Sequence, residues 1–213
     1  MFMKKQLFFS HTWQNDNLGR NNHDRVHDIV KKLRNRGWTT WFDEDDMGGN
    51  IDAAMASGID NADAVIICLT EQYCKKVNET AIDPRKRDNC LKEWTYSNAR
   101  NKLIIPVIME PCLYDIKNWP PGIVSLYLGS TLYTDATKND LENAAILINK
   151  SLINHNLKPI NYINITNDID NKLVYKFINR LTCRVIRRSS NSSCGSNRNS
   201  DRNSDRNSDR NSD

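Results

Sequence analysis

A chain of 213 residues is long enough for one full domain with a sizeable core, plus additional material. Only 38% of it is hydrophobic, too little for compact packing along the whole length, so part of the chain is expected to stay outside any core. The formal net charge of +4 is concentrated rather than spread. Residues 169–188 carry six basic side chains against one acidic, or +5, which leaves the remainder near −1 and argues against a general nucleic-acid surface.

The first element is the apolar run "QLFFSH", read as a strand. "NNHDRVHDIVKKLRNRG" follows, with Val26, Ile29, Val30 and Leu33 at helical spacing, Asn21 or Asn22 as cap and Gly37 as stop. "WTTWF" is β-branched and aromatic, a second strand. It runs into "DEDDMGGNID", four acidic residues and two glycines. An EF-hand reading of that stretch fails. Counted from Asp43, position 5 is Met47 and position 12 is Ala54, so a hard-cation ligand and the bidentate glutamate are both missing.

"NIDAAMASGID" reads as a short helix with Ile51, Met55 and Ile59 on one face, and "DAVIICLT" as a fully buried strand. Residues 71–88 are polar and charged without apolar periodicity. "DNCLKEWTYSNARNK" is a helix and "LIIPVIM" another buried strand. After the break at "WPPG", "IVSLYLGSTLYT" reads as the last strand and "NDLENAAILINKSLINH" as the last helix. Near-continuous apolar strands alternating with helices imply a parallel sheet covered on both faces. Five strands and about five helices suit a flavodoxin-like, doubly wound α/β fold with strand order 2-1-3-4-5. Its ligands bind at the carboxyl ends of the strands, where the order reverses.

The expected organisation is a domain over 1–155, a connector over 156–168, a basic amphipathic helix over 169–188 and a disordered tail over 189–213. The helix keeps an apolar stripe through Leu173, Phe177 and Leu181, which leaves membrane-surface contact as a weak option. The tail ends in four RNSD repeats, neutral in charge and with nothing apolar to bury. The six cysteines form no C-x-x-C pair and several lie in apolar runs, so reduced thiols in a cytoplasmic protein are expected. The N-terminus has only a three-residue apolar run, too short for a signal peptide, and no stretch reaches membrane-spanning length. No Walker motif or G-x-G-x-x-G occurs, against a P-loop nucleotidase or a Rossmann dehydrogenase. His23 and His27, four apart on a helix, have the spacing of a metal pair. No third ligand is visible in the sequence, so a solvated face and no metal are expected.

Together "FFSHTW", "WTTWFDEDDMGGNIDAAMASGIDNADAVIICLT" and "NCLKEW" resemble a TIR (Toll/interleukin-1 receptor) domain, over roughly residues 5–155. The resemblance rests on the order of an F-x-S-H strand, a strand ending in Asp before a long BB loop, and a C-x-x-E helix. Some members of that family are scaffolds that recruit other TIR domains in signalling or defence. Others cleave NAD⁺ to nicotinamide and an ADP-ribose product. The resemblance then implies Glu93 as the catalytic carboxylate, with Ser10, His11, Trp13, Asp43 and Met47 around the substrate. It implies NAD⁺ as substrate rather than cofactor, and self-association with other TIR domains as the partner class. Asp43 is expected chiefly to organise the BB loop, and Gly48 and Gly49 to let it move. The chain departs from the enzymatic pattern at Asn89, where enzymatic members commonly have Trp. Trp13 and Trp94 are the residues available to wall the pocket instead.

Overall fold

The structure, a computed structural model, describes residues 4–43, 49–83 and 85–160. Five strands form one parallel sheet: β1 (Leu7–Ser10), β2 (Thr40–Trp41), β3 (Ala64–Leu69), β4 (Leu103–Ile108) and β5 (Thr134–Asp135). Their order is β2-β1-β3-β4-β5, the order expected from the sequence. The sheet is flanked by α1 (Asn22–Asn35), α2 (Ile51–Asn61), α3 (Glu71–Ile82), α4 (Asn89–Ala99), α5 (Ile123–Leu128) and α6 (Leu141–Asn154).

The alternation of side chains along a strand divides the core in two. Leu7 and Phe9 of β1, with Ile66 and Cys68 of β3, face α1 and α6. Phe8, with Val65, Ile67 and Leu69, faces α2, α3 and α4. Because both faces are covered, β3 is buried at all six positions, which is why its sequence reads as an unbroken apolar run. Each main helix starts on a side-chain cap: Asn21 accepts from Asp24 N, Asn50 from Ala53 N, Thr70 from Tyr73 N and Asp140 from Asn143 N.

Two segments differ from the sequence reading. Residues 71–82 form α3, where no periodicity was expected. Its buried face carries Tyr73, Cys74 and Val77 but also Asn78 and Thr80, so hydrophobicity alone does not mark it. The Asn78 side chain is in the core because it is satisfied there. It donates to Pro121 O at 3.1 Å and accepts from Val124 N at 3.3 Å, tying α3 to the start of α5. The second difference is the expected last strand over "IVSLYLGSTLYT". Residues 123–128 are helical instead, and β5 is only Thr134–Asp135. Val124 and Leu128, four apart, are the buried pair, while Leu126 and Tyr127 are exposed. Gly122, at φ 151°, opens this helix, and a Cβ there would collide with the Asn78 side chain.

At the other end, the chain past α6 stays attached to the sheet. The Gln6 side chain donates to Lys158 O at 2.7 Å and accepts from Ile160 N at 2.9 Å. The rest of the connector, the basic helix over 169–188 and the tail over 189–213 lie outside the described residues. Among the described residues, no helix is long and apolar enough to cross a membrane.

Candidate active site

Ser10 is the last residue of β1, at the carboxyl edge of the sheet, and is buried. The chain then turns through His11, Thr12 and Trp13. The turn is fixed from below by Asn22, whose amide donates to Thr12 O at 2.9 Å, and by Thr12 Oγ1 lying 3.2 Å from Thr70 Oγ1 at the end of β3. Asp43 comes from the residues after β2, and Glu93 from the second turn of α4. That helix is set in place by Asp88, which caps it by accepting from Cys90 N at 2.8 Å.

These residues converge. Ser10 Oγ donates to Glu93 Oε2 at 2.6 Å and lies 2.8 Å from Tyr73 OH. Trp13 Nε1 donates to Asp43 Oδ2 at 2.7 Å, and Asp43 Oδ1 lies 3.8 Å from His11 Nε2. Trp13 is 56% exposed, with one indole face free to cover a ligand while its edge is pinned by Asp43. A pocket of about 360 Å³ is lined by His11, Trp13, Asp43 and Glu93. Lys76, Arg87 and Asp88 also line it, with Lys76 Nζ 3.3 Å from the Asp88 carboxylate. A second, more apolar groove of about 450 Å³ between α2 and α4 meets the first at Glu93.

Glu93 is electrostatically unusual. Burial pushes its carboxyl up from the ordinary 4.5 to about 8. The hydrogen bond from Ser10 opposes that rise, while the charges of Asp43 and Asp88 add to it. His11 moves the other way. Burial holds its imidazole down at about 4, against the pull of Asp43. Cys90 and Tyr73, both buried beside this site, are pushed well above their ordinary values by desolvation and stay protonated.

The sequence reading brought Ser10, His11, Trp13, Asp43 and Glu93 to one rim, and these five do meet. Met47 and Gly48 lie outside the described residues. Gly49 adopts φ +70°, a backbone state that favours glycine. Of the two tryptophans available to wall the pocket, Trp13 lines it. Trp94 is turned into the core, edge-on to Tyr127. Asn89 is itself a lining residue. His23 is not on a solvated face. It is buried at the start of α1, its Nδ1 is 2.7 Å from His11 Nε2, and Trp13 stacks on it at 3.9 Å. Tyr73, Lys76 and Arg87 were not singled out from the sequence. They lie on and after α3, the helix that sequence periodicity does not mark.

Residues 7–152 match the sequence family described as the TIR domain. The chain belongs to the TIR domain family. Among solved structures, the TIR domain of the Toll-related receptor TRR-2 from Hydra magnipapillata is similar to it. That match has 18% identity and a TM-score of 0.44, covering 71% of this chain and 98% of that one. No curated protein matches the chain.

Proposed function

We propose that this TIR domain cleaves NAD⁺ at the nicotinamide–ribose bond, in a signalling or defence role, with Glu93 as the catalytic carboxylate. The observation that carries the reading is the Glu93 carboxyl group, held by Ser10 at 2.6 Å in the wall of a pocket that Trp13 borders. Loss of nicotinamide passes through an oxocarbenium-like state at the ribose, and a fixed anion nearby stabilises that charge. Nicotinamide leaves a cationic ring as a neutral molecule, so no general acid is required. One carboxylate and a stacking surface are the minimum set, and Glu93 and Trp13 supply them.

The raised pKa of Glu93 fits this chemistry. A buried carboxyl is costly to ionise alone, and the positive nicotinamide ring arriving beside it favours the carboxylate. Substrate binding and deprotonation are then coupled, and the anion is present when the cation is. Lys76 and Arg87, which also line the pocket, suit the diphosphate of the dinucleotide. The test is purified protein incubated with NAD⁺, wild type beside Glu93→Ala, with nicotinamide release followed. Release by wild type and its loss in the variant support the reading; equal release in both overturns it.

A second reading is a non-catalytic TIR module that acts through TIR–TIR contact. It is favoured by Asn89, a polar residue where enzymatic members carry Trp, and by a Glu93 that is mostly protonated at neutral pH without a ligand. In that case wild type releases no nicotinamide, while sedimentation across a concentration series shows self-association.

A further inference from the structure

Next to Glu93, a cluster of different chemistry lies under Trp13. His11 comes from the loop after β1, His23 from the first turn of α1 and Asp43 from the residues after β2. Their ligand atoms all lie within 4.8 Å of one another. His11 Nε2 is 2.7 Å from His23 Nδ1 and 3.8 Å from Asp43 Oδ1. Donors bound to one ion at about 2.0–2.2 Å stand no more than roughly 4 Å apart. In a tetrahedral site they stand roughly 3.3–3.6 Å apart, so the two nitrogens would part from hydrogen-bond distance and the carboxylate oxygen would close in, each separation changing by less than about 1.5 Å.

The surroundings hold the three groups in this arrangement. Phe42 stacks against both imidazoles, at 5.2 Å from His11 and 5.1 Å from His23, and Trp13 covers His23 from the other side. His11 Nε2 is the nitrogen near both His23 and Asp43, so it is the one that faces the cluster. Trp13 Nε1 occupies Asp43 Oδ2, which orients the carboxylate. Asp43 Oδ1 is buried and has no hydrogen-bond partner among the described residues. A buried carboxylate oxygen left bare next to two imidazole nitrogens is an energetic cost that a cation removes.

We propose that His11, His23 and Asp43 form a binding site for a divalent first-row transition-metal ion. Two imidazole nitrogens and one carboxylate oxygen suit zinc, cobalt or nickel, and a set this rich in nitrogen is poor for calcium or magnesium. Two neutral rings carry one proton each, so on binding the proton shared between them shifts to the outer nitrogen of one ring, and both Nε2 of His11 and Nδ1 of His23 present lone pairs to the ion. The His23–His27 spacing is not the site. His27 lies on the next turn of α1, and the third ligand of the cluster, Asp43, comes from the residues after β2, which spacing along α1 does not reveal. The proposal does not rest on NAD⁺ cleavage.

The test uses the full chain, stripped with a chelator and titrated with Co²⁺ by visible absorption and with Zn²⁺ by calorimetry. The expected result is about one equivalent bound, and a Co²⁺ spectrum without a thiolate charge-transfer band, since no cysteine is a ligand. Asp43→Asn keeps an oxygen acceptor for Trp13 and removes the charge. It should weaken Zn²⁺ binding by at least about tenfold, as should His23→Gln. Thermal melts of both variants without metal check that they are folded. If His23→Gln fails to fold, Asp43→Asn alone decides. Absence of saturable binding to wild type, or equal affinity in wild type and Asp43→Asn, overturns the site and leaves a hydrogen-bonded histidine pair.

Discussion

Ser10 Oγ donates to Glu93 Oε2 at 2.6 Å, joining the carboxyl end of β1 to α4 across 83 residues of sequence. The same oxygen is 2.8 Å from Tyr73 OH, so when Ser10 donates to Glu93 it accepts from Tyr73. The strand thereby holds the carboxyl group of a helix that packs beside it, and the hydrogen bond favours its ionised form against the burial that disfavours it.

Removing that bond should move the pH profile. In the free protein Glu93 titrates at about 8, so kcat/KM for NAD⁺ cleavage should rise with pH up to that value and then level off. In Ser10→Ala the carboxylate loses its donor and burial is unopposed, so the midpoint should shift upward. Nicotinamide release from pH 6 to 10 measures both profiles. A uniform drop at every pH, with the midpoint unmoved, would mean that Ser10 acts only through packing.

Glu93 should also cost stability. Its folded pKa, about 8, is above the ordinary 4.5, so the folded state binds the proton more tightly than the unfolded state. The native state is then favoured at low pH and loses that advantage as pH rises from 4.5 to 8, with no further change above. The contribution is on the order of a few kcal/mol at about 1.4 kcal/mol per pKa unit. Glu93→Gln should remove this slope and be more stable than wild type at pH 9, while losing NAD⁺ cleavage by orders of magnitude. Urea midpoints at pH 5 and pH 9, for wild type and variant, test the sign.

How much of this was readable beforehand depended on where each residue's partners lie. β3 and β4 were legible because strands covered on both faces must be apolar throughout. The place of Glu93 beside Ser10 at the sheet's edge was expected from the order of motifs, not from its own surroundings. α3 was illegible because Asn78 and Thr80 sit on its buried face, satisfied by partners distant in sequence. The stretch 123–128 misled because Ile123 and Val124 favour strands, and only the four-residue spacing of Val124 and Leu128 marks the helix. His23 was assigned to a solvated face because no third ligand beside His27 was visible in the sequence, yet its contacts include His11 and Trp13 from another element. Periodicity reports the face a helix buries, and not which polar groups from elsewhere meet it there.

The loop that carries Trp13 into α1 depends on Asp16. Its carboxylate is fully buried and accepts from Arg20 Nε at 2.6 Å and Arg25 Nη1 at 2.9 Å. Arg25 is buried too and donates to Met109 O and Ala136 O, so the pair ties this loop to the chain after β4 and β5. Burial raises the Asp16 carboxyl, but the hydrogen bonds and charge of Arg20 outweigh it and the net shift is downward. Asp16→Asn leaves two guanidinium groups facing a neutral amide. The expected loss is about 3–5 kcal/mol, the usual result of removing one partner of a buried ion pair. Denaturant unfolding at neutral pH measures it, and a loss under about 1 kcal/mol would mean that Arg20 and Arg25 are adequately solvated without the carboxylate.

Gly58 controls how closely α2 approaches the sheet. A Cβ built there falls 2.8 Å from Cδ1 and Nε1 of Trp41, well inside van der Waals contact. Trp41 cannot retreat, because it is stacked on Phe8 with ring centroids 4.4 Å apart and planes 14° from parallel. Gly58→Ala should therefore push α2 outward. The overpacking penalty is about 1–3 kcal/mol, offset by up to about 1 kcal/mol of better helix propensity, so the net change is destabilising. Met55, one turn earlier on the same helix, lines the pocket beside Glu93, so KM for NAD⁺ should rise more than kcat falls. The coupling is testable in a double-mutant cycle. In a Trp41→Phe background the smaller ring leaves room for the methyl group, and Gly58→Ala should become neutral or stabilising. Equal costs of Gly58→Ala in the wild-type and Trp41→Phe backgrounds would show that the contact with Trp41 is not what requires glycine at this position.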